Sequence, residues 1–149
     1  MSTVEIKRAT LATIADVAFL FDAYRVFYKQ TSDVAAAHKF LTERLSKDES
    51  VIFVAYLEGN PVGFTQLYTS FSSVSLQPLF ILNDLFVEGA HRGKGIGEQL
   101  LFAAKTLCKQ NNYKGVALET AEDNPAQHLY EKLGWIKDNG FLHYFWSCN

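Results

Sequence analysis

At 149 residues the chain fits one domain and is long enough to bury a core of its own. Its 14 basic and 16 acidic residues leave a net charge of -2, so no overall basic field draws it to nucleic acid or an anionic membrane, and any anion site has to be local. The charged opening "MSTVEIKRATL" lacks the apolar run of a signal peptide or membrane-spanning helix, and the expectation is a cytoplasmic protein without nucleic-acid or membrane partners.

A short strand near Val4 to Arg8 comes first. "TIADVAFLFDAY" then carries Ile14, Val17, Phe21 and Tyr24 at helical spacing, with Thr13 and Asp16 in capping-box positions. "SDVAAAHKFLTERL" repeats the stripe with Ala37, Phe40, Leu41 and Leu45, and either Ser32 or Asp33 can cap it. From Val51 to Phe71, two β-branched and aromatic runs flank the turn "EGNP" and read as an antiparallel hairpin. After Pro78, "LFILNDLFV" is an apolar run of strand length. A helix from Gly97 shows Leu100, Leu101, Ala104, Leu107 and Cys108 on one face, and "GVALETA" is a further strand. "DNPAQHLYEKLG" is a short helix with Asn124 as its cap, Pro125 at its first position and Gly134 just past its end. "WIKDNGFLHYFW" closes the chain as a hairpin around Asn139 and Gly140. The order β α α β β β α β α β β describes an α/β domain with a mixed, largely antiparallel sheet. Cys108 and Cys148 read as free thiols, and His38, His91, His128 and His143 share no metal-ligand spacing, so no metal is expected.

The stretch "FVEGAHRGKGIGEQLL" ends a strand, crowds Gly93, Gly95 and Gly97 together, and opens a helix. Unpaired N–H groups and the positive end of the helix dipole converge at such a junction, which makes it a phosphate site, although a plain permissive loop looks the same for an isolated GxG. Two named phosphate loops fail on spacing. A Walker loop needs four residues between its first glycine and Gly-Lys, whereas Gly89 to Gly93-Lys94 leaves three. A dinucleotide fingerprint needs GxGxxG in a repeated parallel unit, whereas the motif here is GxGxG after a hairpin.

Extended to Arg92, "RGKGIG" matches Arg/Gln-x-x-Gly-x-Gly/Ala, the pattern that marks acetyl-CoA binding in the GNAT acetyltransferases, and "NPAQHLYEKLGW" is similar to that family's second cofactor element. The chain is identified as a member by a resemblance that covers nearly all of it. "ILNDLFV" with "ALETAEDNPAQHLYEKLG" further resembles the histone, polyamine and D-amino-acid acetyltransferase subgroup and, less closely, the diamine acetyltransferases. The resemblance implies a single GNAT domain over residues 1–149 with acetyl-CoA as the donor cosubstrate. It implies direct transfer in a ternary complex to a primary amine of a small molecule, polyamine or amino-acid-like. A protein or peptide lysine is the other acceptor it allows, and a non-catalytic acyl-CoA sensor is the reading from a different class.

On the same ground, the amides of Arg92, Gly93, Lys94, Gly95, Ile96 and Gly97 cradle the diphosphate of coenzyme A. Backbone groups of Leu85 and Val87, either side of Phe86, bond the thioester and pantetheine arm, and the Leu85 amide meets the oxyanion. Asn124 holds the cofactor arm while capping its helix. Tyr130 matches the family tyrosine that protonates the departing thiolate, a transfer open to a phenol of pKa about 10 facing a thiol of about 8.5; a packing ring beside Leu129 and Leu133 is the alternative. Relatives often carry a glutamate at the positions of Ile81 or Asn83 to deprotonate the amine through water, and neither residue here is acidic. Strand alternation sets Ile81, Asn83 and Leu85 on one face and Asp84 on the other, so Asp84 is not expected to stand in for Asn83. Glu119 is the next candidate base, with a solvated carboxylate, water or an amine arriving neutral as alternatives. Substrate contacts are expected from Asn83, Asp84, Tyr28 and Arg25, the last as a carboxylate anchor or simply a surface arginine. The terminal aromatics Phe141, Tyr144, Phe145 and Trp146 either fill the domain's own core or pair across a homodimer.

Overall fold

The apolar alternation of the first half of the chain becomes a sheet, which the computed structural model describes together with the rest of residues 3–149. The strands are β1 (Val4–Arg8), β2 (Ser50–Leu57), β3 (Asn60–Ser72), β4 (Gln77–Val87) and β5 (Val116–Leu118). They lie in that order, antiparallel except for the parallel β4–β5 pair. Helices α1 (Ile14–Phe27), α2 (Val34–Ser46), α3 (Ile96–Gln110) and α4 (Ala126–Lys132) complete the order. The expected α/β class and mixed sheet are present, and the order agrees through α4. The chain divides into two compact units, one running to Glu119 and the other Thr120–Asn149.

In the first unit, α1 and α2 cover one face of the sheet, where Ile14, Val17, Phe21, Ala37 and Leu41 pack with Ile52, Val54 and Phe64. The α3 helix covers the opposite face, with Ile96 and Leu100 against Ala55, Val62, Leu85 and Val87. Burying side chains of this size contributes roughly 1.5–3 kcal/mol each, which outweighs the weak intrinsic preferences of the segments. Gly63 lets β3 approach the end of β4, since a Cβ there would lie 2.9 Å from the Phe86 carbonyl oxygen. The β2–β3 turn is made by Glu58 and Gly59, both at positive φ (52° and 80°), the backbone a two-residue hairpin turn requires.

Two local expectations are corrected. Thr13 and Asp16 do not form a capping box. The Thr13 hydroxyl oxygen instead accepts the Thr10 N–H at 2.9 Å, closing a short 3₁₀ turn ahead of α1, and the Asp16 carboxylate accepts the Tyr56 hydroxyl at 2.8 Å. The closing hairpin is also absent, because no strand follows α4 among the described residues. The reason is visible at its expected turn. Neither Asn139 nor Gly140 has the positive φ that an Asn-Gly hairpin turn demands; the Asp138 carboxylate instead accepts the Gly140 N–H at 3.1 Å.

Of the two caps open for α2, Asp33 serves, accepting the Ala36 N–H at 3.0 Å, while the Ser32 hydroxyl donates to Asp22 at 2.7 Å. In the second unit, Pro125 already has helical φ/ψ and the Asn124 side-chain oxygen accepts the Ala126 N–H at 2.9 Å, so Asn124 caps α4 as expected.

Candidate active site

Two features of β4 and α3 build the site. The β4–β5 pairing covers only Phe80 to Leu82 against Val116 to Leu118, so residues 83–87 run on without a neighbour on that side. Leu85 and Val87 lie in this open stretch, as an acceptor for an extended ligand arm requires. The second feature is the entry to α3. Gly93 and Gly95 have φ of 77° and 78°, and a Cβ on either would meet nothing within 4 Å, which leaves an open concave backbone. No side chain caps α3, and its first internal bond is from the Gln99 N–H to the Gly95 oxygen at 3.2 Å. The amides of Ile96 and Gly97 precede that bond and sit at the positive end of the helix dipole. The residues present therefore fit a diphosphate. Ile96 turns its side chain into the α3 core, which fixes the first turn under the loop.

Arg92 departs from a simple anion-binding role. Its Nε donates to the Val87 carbonyl at 2.8 Å, and its guanidinium lies 5.5 Å from the Phe27 ring centroid and 5.6 Å from that of Phe86. The side chain ties the end of β4 to the C-terminal turn of α1, leaving backbone to face a ligand. Its own N–H reaches the Gly89 oxygen at 3.5 Å, a weak bond. Lys94 Nζ lies 3.5 Å from His91 Nδ1.

The register of β3 against β4 overturns the alternation expected for Asp84. Gln66 opposes Asp84 and Leu67 opposes Leu82, so Asn83 is an extra residue, a β-bulge. The bulge shifts the phase of everything beyond it. Ile81 opposite Tyr68, Asp84 opposite Gln66 and Phe86 opposite Phe64 now share the α1/α2 face, while Leu85 turns to α3. Asp84 thus occupies the face that simple alternation gives to Asn83, and Asn83 is displaced outward and exposed.

Asp84 is buried, and burial pushes its carboxyl above the ordinary range despite the donors around it. Gln66 Nε2 donates to one carboxylate oxygen at 2.7 Å, Asn83 Nδ2 to the other at 3.1 Å, and the Tyr24 hydroxyl bonds the same group. The Asp84 carbonyl accepts the Thr65 hydroxyl at 2.8 Å. Tyr68, on the same face, is pushed up to about 12 by burial and by the Asp84 charge, so its hydroxyl keeps its proton at neutral pH. The Gln66 side-chain oxygen is fully buried without a partner. Gln66 and Tyr68 were not singled out by sequence, and Tyr24 only as part of the apolar stripe of α1; the one available signal was a glutamine inside the apolar β3 run "GFTQLY".

Arg25 is half-buried on α1 and its charge acts on Asp22, which also receives the Ser32 hydroxyl and the Asp33 N–H, so it supports the α1–α2 connection. Tyr28 is half-exposed at the end of α1, its ring edge-on to Tyr24 at 4.9 Å. Glu119 is exposed, one residue past β5. Tyr130 lies in α4, buried, with its ring edge-on to Trp135 at 6.2 Å. Among the described residues, no cluster of His, Cys, Asp and Glu has the makings of a metal site.

Comparison with known proteins agrees with this architecture. The profile of the Acetyltransferase (GNAT) family matches residues 14–135, and the chain belongs to that family. An uncharacterized N-acetyltransferase, YhfO of Bacillus subtilis (strain 168), is 48% identical over 140 residues, which cover 93% of this chain and 94% of that one. A solved structure described as a probable acetyltransferase superposes with a TM-score of 0.91 at 36% identity, covering 97% of this chain and 98% of its own. An aminoglycoside N-acetyltransferase solved in complex with CoA shares the fold, with a TM-score of 0.82 at 20% identity over 99% of this chain and 97% of that one. The protein is an acetyl-CoA-dependent N-acetyltransferase of the GNAT type.

Proposed function

We propose that the protein acetylates a primary amine of a small molecule by direct transfer within a ternary complex. The observation that carries the reading is the junction of β4 and α3, an uncapped helix N-terminus behind two positive-φ glycines, beside a strand whose last five residues have one side open. Acetyl-CoA supplies the thioester and, on C–S cleavage, a thiolate leaving group.

The chain's own residues account for the remaining tasks. The amides from Gly93 to Gly97 hold the diphosphate, with Arg92 bracing β4 from the side. The β4 backbone at Leu85 and Val87 aligns the arm, and the Leu85 N–H stabilises the oxyanion. Tyr130 gives its phenolic proton to the thiolate, a role supported by its match to the family tyrosine. Asp84 already receives three donors and is closed to solvent, so Glu119, exposed at the end of β5, is the carboxylate that takes the amine proton through water. No cysteine is placed as an acyl carrier: Cys108 is buried with its thiol pushed up by burial, which disfavours the thiolate.

The resemblance of "ILNDLFV" to polyamine and D-amino-acid acetyltransferases sets the order in which acceptors are tried. A panel of spermidine, free amino acids of both hands, kanamycin and a lysine peptide, read by thiol release from acetyl-CoA, tests the proposal. Amine-dependent release with a small molecule supports it. Release with the lysine peptide alone points to a protein acceptor, and binding of acetyl-CoA with no release in any arm points to a sensor. We further infer a homodimer, supported by the exposed terminal aromatics.

A further inference from the structure

The buried polar network under α1 costs stability that an apolar core would not. Gln66 Oε1 is an unpartnered acceptor in a fully buried side chain, which is unfavourable, and Asp84 is a carboxyl held out of water beside it. A leucine pair at these facing positions would pack the same face without either penalty. Networks that break the rules of a stable core are kept where something else depends on them. Here the exposed member is Asn83, while Tyr24 is half-buried and Gln66 and Asp84 are buried.

Asn83 is held from one side only. Its Nδ2 donates to Asp84 Oδ1 at 3.1 Å, so the amide is oriented with nitrogen inward and Oδ1 directed away from the carboxylate. Asp84 is itself fixed by Gln66 from β3 and Tyr24 from α1 and cannot turn with it. The bulge puts this outward carbonyl two residues before Leu85, on the stretch of β4 that β5 leaves open. We propose that Asn83 receives the acceptor amine, its side-chain oxygen accepting an amine N–H, and that Asp84 is the positioning residue that holds Asn83 in that orientation.

The proposal rests on the acetyltransferase reading above and adds a substrate class to it. A carboxamide oxygen accepts a hydrogen bond but neither neutralises an ammonium nor removes its proton. The Asp84 carboxyl is taken up by three donors, and the cations acting on this face are Arg92, over Phe86, and Arg44, which acts on Tyr68. Such a site selects amines that reach it uncharged, weakly basic ones such as the α-amino group of an amide or peptide over strongly basic alkylamines, and the proton that Glu119 takes through water is then the one the amine sheds on attacking the thioester.

A double-mutant cycle tests the pair, using whichever panel amine the unaltered enzyme acetylates, with glycinamide and propylamine as weakly and strongly basic probes. Asn83→Leu is expected to raise the KM for the amine about tenfold or more. Asp84→Asn, which keeps the shape but replaces one acceptor oxygen with a donor, is expected to raise it in the same sense. Because Asp84 acts through Asn83, the double variant should be no worse than Asn83→Leu alone. Stabilisation by acetyl-CoA should persist in all three, which separates failure of this proposal from failure of the cofactor assignment.

The pH profile gives an independent readout. In the unaltered enzyme, kcat/KM should rise with pH along the ionisation of each acceptor and move with it. In Asn83→Asp, two carboxylates facing each other force one to ionise late, and a further limb common to every acceptor should appear. The other ionisable groups facing Asp84 are Tyr24 from α1 and Tyr68 from β3, and Tyr68 keeps its proton throughout this range; Arg44 and Glu49 act on Tyr68 from α2 and the strand entry. An unchanged amine KM in Asn83→Leu, additive penalties in the double variant, or preference for propylamine over glycinamide at equal concentration of the neutral form would overturn the proposal. Should Asp84→Asn not fold, the Asn83→Leu and Asn83→Asp arms still decide.

Discussion

Asp84 is ionisable, buried and surrounded by donors, and its energetics are opposed within one side chain. Burial raises its carboxyl pKa more than Gln66, Tyr24 and Asn83 lower it. A carboxyl whose folded-state pKa lies above its unfolded one favours folding at low pH and loses that advantage as pH climbs through the folded value. Asp84→Asn should therefore gain stability relative to the unaltered protein as pH rises above the ordinary carboxylate range, measured as a widening difference in Tm. A difference constant with pH would mean that the carboxyl is not raised. Tyr130→Phe addresses the proton donor: it keeps the ring against Trp135 and removes the phenol, so turnover should fall about 10- to 1,000-fold with acetyl-CoA binding kept. Turnover unchanged from about pH 6 to 9 in single-turnover experiments would reduce Tyr130 to a packing residue.

The strand that carries the site and the linkage that carries the acceptor face are both decided by one or two residues at element boundaries. Asp22, buried on α1, receives the Ser32 hydroxyl and the Asp33 N–H at 2.7 Å each, and these bonds with the Arg25 charge hold its carboxyl below the ordinary range. That depressed group adds stability above the unfolded pKa and loses it as pH falls through the folded one. Asp22→Asn should cost stability near neutral pH, by urea denaturation, and the cost should shrink as pH falls below the ordinary carboxylate range. Equal loss at both values would show that the charge plays no part. The helices and the β2–β3 hairpin were legible because their signals are local: apolar spacing in α1, α2 and α3, Asn-Pro before α4, and glycine at the β2–β3 turn. The glycine loop ahead of α3 was legible for the same reason, through "RGKGIG". The bulge at Asn83 was not, because pairing register is a property of two strands and "ILNDLFV" alone reads as even alternation. That one inserted residue exchanged the faces of Asp84 and Leu85.

For the whole molecule, the terminal segment is the part the sequence pattern misjudged, since a period-2 pattern and an Asn-Gly pair specify a hairpin only where a third strand or a packed face completes it. Phe141, Tyr144, Phe145 and Trp146 are each more than four-fifths exposed. We propose that a second copy of the chain covers this apolar surface. Light scattering at micromolar concentration should give a dimer mass, lost when Tyr144 and Trp146 are replaced by lysine; a monomer mass with and without acetyl-CoA would exclude it. The central claim, however, is that the loop before α3 receives acetyl-CoA, and calorimetric titration of acetyl-CoA into three proteins tests it most directly. Gly95→Ala and Gly95→Glu both place a side chain at a φ of 78°, costing about 1–2 kcal/mol of strain, but only the second adds a negative charge where the diphosphate is held. The unaltered protein should bind, Gly95→Ala should bind more weakly, and Gly95→Glu should show no heat of binding while remaining folded. Equal affinity for acetyl-CoA in the unaltered protein and a folded Gly95→Glu would contradict the account.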